Sequence, residues 1–403
     1  MPPRARTPNR WLILVLGLAA QAAASSYLYG LPMLLPQLRH EGDLSLASAG
    51  WLVAAPSIGL LVTLIPWGAL VDRRGERGVM VSGLVLAGGF LVGAAATDDY
   101  AVRLVLLVLA GAGGGSVNSA GGRLVLGWFE PHERGTAMGW RQTAQPLGVA
   151  LAAATFPPIA NTWGIGWAIA LPAALCVVVA AMVEVFVVDP PRLPRSATEP
   201  APTSPYRGPT LWRLHFASAM LVVPQFAVSA FALTYLVSER HWGTASAGRL
   251  LFAFQLAGAA GRVASGVWSD RVGNRLGPMR MVAAAAAVTM LAAGIGAANG
   301  WLLAVVALGV GVVVTVADNG LGFTATAELA GSSWAGRAMG VQNTGQNLTA
   351  ALTPPLLGAL ITAHGFGWGF GVVALFPLIA VFATPVAAET GRVALPKPAT
   401  LRV

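Results

Sequence analysis

Five charged residues lie inside long apolar runs of this sequence, where a charge carries a free-energy cost. Four of them are basic, Arg123, Arg141, Arg249 and Arg262, and one is acidic, Asp318. At the centre of a membrane span a charge costs about 2.5–3.5 kcal/mol on insertion scales, so each is a candidate functional residue. A guanidinium group presents a planar fork of donors that matches a carboxylate or a phosphate, so uncompensated arginines favour an anionic ligand.

Three of the arginines share a depth in their spans. Arg123, Arg141 and Arg262 lie roughly 10 Å from the nearer span end, at 1.5 Å per residue, and we predict that they bind the substrate. Arg249 lies near the outer start of its span and is expected to extend toward the interface. Asp318 is the candidate for proton coupling, and a salt bridge from one of the arginines to Asp318 is the alternative.

Uncharged polar residues extend this candidate site along two spans. Arg141 and Gln145 lie near one face of a helix because they are four residues apart, and Asn343 and Gln346 hold related positions much later in the chain. We predict that Gln145, Asn343 and Gln346 line the substrate site. Hydrogen bonds that only hold the helices together are the alternative.

Composition says which elements carry these residues. The chain has 403 residues, of which 56% are hydrophobic and 10% charged, and its mean hydropathy is +0.68. Such a chain has too little polar residue to cover a soluble globule. Spans of roughly 20 apolar residues each predict an all-α integral membrane protein with twelve transmembrane helices. The predicted spans are 11–37, 45–71, 78–97, 101–128, 135–159, 164–188, 211–237, 245–269, 279–298, 301–327, 337–362 and 367–388.

Basic residues predict the orientation of these spans. Most of the 25 lysines and arginines fall on one side when the amino terminus is placed in the cytoplasm. We therefore expect a multi-pass protein of the cytoplasmic (inner) membrane with both termini cytoplasmic. The net charge of +9 is explained by these flanking residues, and no nucleic-acid partner is expected.

A short charged stretch occurs twice. Residues 68–77 read GALVDRRGER and residues 266–275 read GVWSDRVGNR, so that Gly68, Asp72 and Arg73 recur 198 positions later. A second similarity, at a shift of 201, carries Asn118 to Asn319. The chain thus divides into two pseudo-symmetric six-helix halves, 1–188 and 211–403, joined by a proline-rich cytoplasmic linker, 189–210. Such repeats place the substrate near the midplane.

The duplicated stretch resembles the Gly-x-x-x-Asp-Arg-x-Gly-Arg pattern of the major facilitator superfamily. Glu76 stands where that family often has arginine. The resemblance implies that Asp72 closes the cytoplasmic side by accepting backbone N–H bonds at the start of span 11, near Gly336. Solvation of a loop is the alternative. The gating residues that the resemblance implies are Gly68, Asp72, Arg73, Gly75, Asp270 and Arg271.

A weaker resemblance concerns the substrate. The segment GRVASGVWSDR, which contains Arg262, is similar to helix 8 of the monocarboxylate and oxalate transporter branches, where an arginine engages a substrate carboxylate. Those relatives often add a cationic residue in helix 11. Here span 11 offers amides, Asn343 and Gln346 among them, and this departure argues against a dicarboxylate.

These features favour a secondary active transporter that moves a small organic anion, such as a carboxylate, by proton-coupled alternating access. A proton-driven multidrug or metabolite efflux antiporter is the alternative. Its expected glycines in span 5 are replaced, since Gln145, Val149 and Ala150 accompany Pro146. No enzymatic activity, cofactor or metal is expected, and the partners expected are the substrate, the proton and the bilayer around a monomer.

Overall fold

The computed structural model describes residues 9–41, 44–190 and 203–389. Within those ranges the chain is helical apart from short connections. Ten helical stretches are long and apolar enough to cross a membrane, and one of them, Ala335–Glu389, has 55 residues. Gly365, at φ 82°, divides that stretch into two spans, and the broken helix between residues 134 and 163 supplies another. The described residues therefore form twelve spans.

Eight spans are continuous helices. They are span 2, Leu46–Arg74; span 3, Glu76–Ala96; span 4, Tyr100–Trp128; span 6, Ile165–Phe186; span 7, Pro209–Ser238; span 8, Thr244–Val272; span 9, Leu276–Ala298; and span 11, 335–364. Four spans are interrupted. They are span 1, Arg10–Leu28 with a short helix Leu35–Glu41; span 5, Arg134–Gln142 and Ala144–Trp163; span 10, Leu302–Val314 and Asp318–Ala330; and span 12, 366–373 and Leu375–Ala383.

Two of the interruptions fall beside candidate site residues. In span 5 the first helix ends at Gln142, because Pro146 has no N–H to offer the Gln142 carbonyl four residues earlier. Arg141 thus lies in the last turn before the break. In span 10 the helix stops at Val314 and restarts at Asp318, which places a carboxylate at a helix amino terminus, where the helix dipole favours negative charge.

The chain packs as two compact units. Unit 1 comprises Met1–Ser204 and Thr326–Leu348, and unit 2 comprises Pro205–Ala325 and Thr349–Val403. The buried apolar core of unit 1 contains large side chains from spans 1, 2 and 5, among them Tyr27, Leu60 and Phe156. In unit 2, Tyr235 and Phe370 form part of an aromatic cluster, with ring centroids 5.9 Å apart.

These units divide the chain differently from the sequence repeat. The units are defined by the segments that pack together, and the first part of span 11 packs with unit 1. The predicted halves, 1–188 and 211–403, are defined by the duplication in the sequence and stay a prediction. Parts of the predicted linker are ordered: Pro205–Arg207 forms a 3-10 turn and Pro209 begins span 7.

Some sequence predictions concern residues that the structure does not describe. The linker residues 191–202 and both termini lie outside the described residues. The predicted cytoplasmic placement of the termini therefore stays a prediction. The basic residues concerned are Arg4, Arg6, Arg192, Arg195, Arg392, Lys397 and Arg402.

The first predicted span, 11–37, agrees in extent with the stretch Arg10–Leu38, but that stretch is not one continuous helix. Its long helix ends at Leu28 and is followed by a 3-10 turn, Leu31–Leu34. Pro32 lies inside this turn. Because proline lacks an N–H, it cannot bond the Leu28 carbonyl four residues earlier, and the α-helix ends there.

Candidate functional site

Arg141 is buried in unit 1 among neutral polar groups. Arg141 is only 5% exposed. The Nη2 atom donates to Gln21 Oε1 at 3.2 Å and to the Asn118 backbone oxygen at 3.3 Å. The Nη1 atom contacts Met138 Sδ at 4.0 Å, a weak acceptor, and the Nε atom has no hydrogen-bond partner among the described residues.

No carboxylate in the described part of the chain pairs with Arg141. Its partners are an amide, a carbonyl and a thioether, and none of them carries a negative charge. Burying a charge without a counter-charge is costly. Arg141 is therefore a cation whose charge is not compensated by the described residues, with donors left for an oxyanion.

A glycine on span 4 makes room for this guanidinium. A Cβ atom added at Gly121 would lie 2.7 Å from Arg141 Nε, closer than such atoms pack. Gly121 and Arg141 also line a small cavity with Ile13 and Phe129, and its volume is about 10 Å³. A cavity of that size has room for about one water molecule.

Arg262 has a different environment, within unit 2. It is 7% exposed, and Asp318, 2% exposed, is close enough to interact with it electrostatically. Ser265 Oγ donates to the Ala317 carbonyl at 2.7 Å, which ties span 8 to the break in span 10. The next residue, Asn319, donates through Nδ2 to Gln225 Oε1 at 3.1 Å. Arg262 and Asp318 are thus neighbours, as in the alternative that the sequence analysis left open for one of the arginines, and the substrate role predicted for Arg262 stays untested.

The structure places Arg123 with the duplicated motif. Its Nη1 atom lies 2.9 Å from Asp72 Oδ1 and its Nε atom 2.8 Å from Glu76 Oε1. Glu76 is fully buried. Because two carboxylates already share this guanidinium, the pairing argues against the substrate role predicted for Arg123, which stays untested. Glu76, where the family often has arginine, is the acid that accompanies this buried arginine.

Asp72 lies where the sequence analysis places its hydrogen-bond partners, at the start of span 11 in unit 1. It accepts from Gly336 N at 2.8 Å, from Arg337 N at 3.1 Å and from Arg337 Nε at 2.9 Å. The backbones approach closely here, since a Cβ atom at Gly336 would lie 2.5 Å from the Gly68 oxygen. A helix amino terminus provides the unpaired N–H groups and the positive dipole end that an aspartate can satisfy.

The second copy of the motif has contacts within its own segment. Arg275 Nη1 donates to Asp270 Oδ1 at 2.6 Å and to Ser269 Oγ at 2.8 Å. Arg73 and Arg271, both predicted as gating residues, are exposed. Gly75, at φ 104°, forms the sharp junction between spans 2 and 3, a conformation that favours glycine.

Two carboxylates that the sequence analysis did not single out cap helices in the two units. Asp189 Oδ1 accepts from Glu76 N at 2.9 Å and from Arg77 N at 2.7 Å, at the start of span 3. Glu389 Oε2 accepts from Leu276 N at 2.7 Å, at the start of span 9. The two acids are 200 positions apart, close to the shift of the repeat, and this spacing is the signal that could have found them.

The predicted polar residues of span 11 bond within their own helix and to span 1. Asn343 Nδ2 donates to the Met339 carbonyl at 2.9 Å, one turn earlier, and Asn347 Oδ1 accepts from the Tyr29 hydroxyl at 2.9 Å. Gln346 is 9% exposed and Gln145 is half-buried. The structure thus places Asn343, Gln346 and Arg141 in the same unit, and their role in lining the substrate site stays a prediction.

A groove of larger volume in unit 1 lies away from Arg141. It has a volume of about 290 Å³ and is lined by residues of spans 2, 3 and 4, including Trp67, Phe90 and Leu109. The described residues that line it are uncharged.

The sequence and the fold both match known transporters. The chain is 44% identical over 382 residues to an uncharacterized MFS-type transporter of Mycobacterium tuberculosis, an alignment that covers 94% of this chain and 85% of that protein. It is 29% identical over 238 residues to a probable nitrate/nitrite transporter, NarK2, of the same species, covering 58% of this chain and 60% of that protein.

Among solved structures, the fucose:proton symporter of Escherichia coli has the same fold, with a TM-score of 0.72 at 15% sequence identity over 93% of this chain and 98% of that one. The family model of the Major Facilitator Superfamily matches residues 13–354. The twelve spans, the duplicated motif and this match together establish that the chain belongs to the Major Facilitator Superfamily, whose members carry out secondary transport across membranes.

Proposed function

We propose that this transporter moves a small organic anion, such as a monocarboxylate, and that Arg141 is its principal ligand. The observation that carries the proposal is the buried guanidinium of Arg141, whose neighbours are neutral. An anionic oxygen would take the Nε donor, which has no partner in the described residues, and would replace the weak contact of Nη1 with sulphur. Hydrogen bonds between charged groups are about twice as strong as those between neutral groups.

Proton coupling is the second part of the proposal, and it rests on Asp318. The carboxyl lies at the amino end of a helix and next to Arg262. When Asp318 takes up a proton, Arg262 loses a negative neighbour, and when Asp318 releases it the pair is restored. A protonation step that changes the charge around Arg262 is a means of linking proton movement to the alternation between conformations.

One comparison also supports an anion. The probable nitrate/nitrite transporter that shares 29% identity with part of this chain is named for two anions.

The cavity beside Arg141, about 10 Å³, is too small for an organic anion. The substrate therefore reaches Arg141 in a more open conformation than this one, as alternating access requires.

Thermal unfolding of the purified full-length protein tests the proposal. We expect sodium L-lactate or sodium nitrate to raise the melting temperature above that in an equal concentration of sodium chloride, because a ligand stabilises the folded state in proportion to its occupancy. Arg141→Met should weaken this response by at least about tenfold, since a hydrogen bond to a charged group contributes about 1.5–3 kcal/mol. Arg249→Met is the matched control, because Arg249 is an exposed arginine.

Uptake of L-lactate into proteoliposomes completes the test. Inhibition of this uptake by other carboxylates, and no inhibition by tetraphenylphosphonium, supports the anion. If the lipophilic cation competes and carboxylates do not, the efflux antiporter becomes the better interpretation. Equal responses of wild type and Arg141→Met would remove Arg141 from the site.

A further inference from the structure

We infer that Gln21 determines the charge selectivity of the Arg141 site, because it contacts the guanidinium as a neutral amide. This inference rests on the proposed function and deepens it. Gln21 lies in span 1 and is 6% exposed. Gln21 is a positioning residue, because it acts on the substrate through Arg141.

Gln21 joins three spans through one side chain. Its Oε1 atom accepts from Arg141 Nη2 of span 5 at 3.2 Å. Its Nε2 atom donates to Asn118 Oδ1 of span 4 at 3.2 Å and to Ser25 Oγ at 3.5 Å. With both ends of the amide engaged, Gln21 holds the guanidinium in one orientation.

The chemistry of this contact decides what else can bind. A glutamate has nearly the same shape as a glutamine but carries a negative charge at the oxygen that faces Arg141. An ion pair would then satisfy the guanidinium inside the protein, and an external anion would have to compete with a tethered carboxylate. The neutral amide orients Arg141 and leaves its positive charge for the substrate.

The test compares Gln21→Glu with Gln21→Asn in the full-length protein. The first variant adds a charge at nearly constant shape, and the second keeps the amide but shortens the side chain. The probes are sodium L-lactate and sodium nitrate, followed by thermal unfolding. We expect Gln21→Glu to melt at or above the wild-type temperature without the probes, and to need at least about tenfold more probe for the same shift. Gln21→Asn should keep a larger share of the response.

A merely structural role for Gln21 predicts the opposite ranking. In that case Gln21→Asn, which loses the reach to Arg141, would lose more of the response than Gln21→Glu. Binding of the probes to Gln21→Glu as tight as to the wild type would overturn the inference.

A double-mutant cycle measured without any ligand separates this inference from the proposed function. It consists of Gln21→Glu, Arg141→Met and the double variant, with melting temperature as the readout. We expect Gln21→Glu to be tolerated with Arg141 and to destabilise the Arg141→Met background, because the new carboxylate would then be buried without its arginine. Additive effects in the cycle contradict the inference even if the wild type binds anions. Coupling in the cycle, with no response of the wild type to any anion, supports the contact and contradicts the proposed anion transport.

Discussion

Arg141 and Arg262 are two arginines of similar burial whose surroundings differ in charge. They are 5% and 7% exposed, respectively. In unit 1 Arg141 donates to Gln21, which donates to Asn118. In unit 2 the residue after Asp318, Asn319, donates to Gln225. Beside Arg262 there is also the carboxylate of Asp318, whereas the described partners of Arg141 are all neutral.

The repeat shows that the surroundings of these two arginines are not duplicated. At the shift of 201 that carries Asn118 to Asn319, the position of Asp318 corresponds to Val117, which is fully buried. One half of the duplication therefore has an acid at this position and the other an apolar side chain. The two arginines are not equivalent in the repeat either, because the same shift carries Arg141 to Gln342 and places Leu61 opposite Arg262. The two halves of the duplication therefore differ at the acid and at both arginines.

Removing Arg123 is expected to have the largest effect on stability. Arg123→Gln leaves the buried carboxylates of Asp72 and Glu76 without their shared guanidinium, and breaking a buried ion pair costs about 3–5 kcal/mol. Thermal unfolding measures the loss. Glu76→Gln in the same background should recover part of it, and a stable Arg123→Gln protein would show that Arg123 is not needed to balance the motif.

Removing Arg262 tests the compared pair directly. Arg262→Met should destabilise the protein by about 3 kcal/mol, because Asp318 is left buried without its arginine. Arg262→Met with Asp318→Asn should regain most of that loss. Arg141→Met should change stability by less than about 1 kcal/mol, since removal of an uncompensated charge offsets the lost hydrogen bonds. Equal destabilisation by Arg262→Met and Arg141→Met would contradict the difference in charge between the surroundings of the two arginines.

Neutralising Asp318 should affect coupling more than binding. For a proton-coupled transporter a gradient of one pH unit provides about 1.4 kcal/mol per proton, or about tenfold accumulation. In Asp318→Asn proteoliposomes we expect this pH-driven accumulation to disappear, because the amide cannot take up the proton. The anion should still shift the melting temperature. Accumulation that follows the pH gradient equally in wild type and variant would assign the coupling to another group.

The smallest effects are expected at the helix caps, where the two units are alike. Asp189→Ala removes the acceptor for two N–H groups of span 3, and loss of such a cap costs about 1 kcal/mol. Glu389→Ala should cost a similar amount at span 9. Thermal unfolding measures the loss of stability in each variant. Equal losses would show that the two units are alike at their caps, although their buried arginines differ in surroundings. An effect on anion affinity from either variant is not expected.

The sequence by itself determined the class of the protein. A chain that is 56% hydrophobic and 10% charged must place its helices in a bilayer, so the twelve spans and the family could be predicted from composition, span length and the duplicated motif. The same reasoning singled out Arg141, Arg262 and Asp318, because charges within a span are costly and few. It did not predict the break in span 10, where no proline marks the position.

Only the tertiary structure decided which groups surround each arginine. Gln21 and Arg141 are 120 residues apart in the chain, and Arg123 and Asp72 are 51 apart. The sequence alone therefore could not say which arginine meets a carboxylate and which meets an amide. The energy of a buried charge depends on its neighbours within a few ångströms. Those neighbours are set by the packing of spans 1, 4 and 5 around Arg141 and of spans 2, 3 and 4 around Arg123. Folding makes Arg123 part of the motif and leaves Arg141 with neutral neighbours.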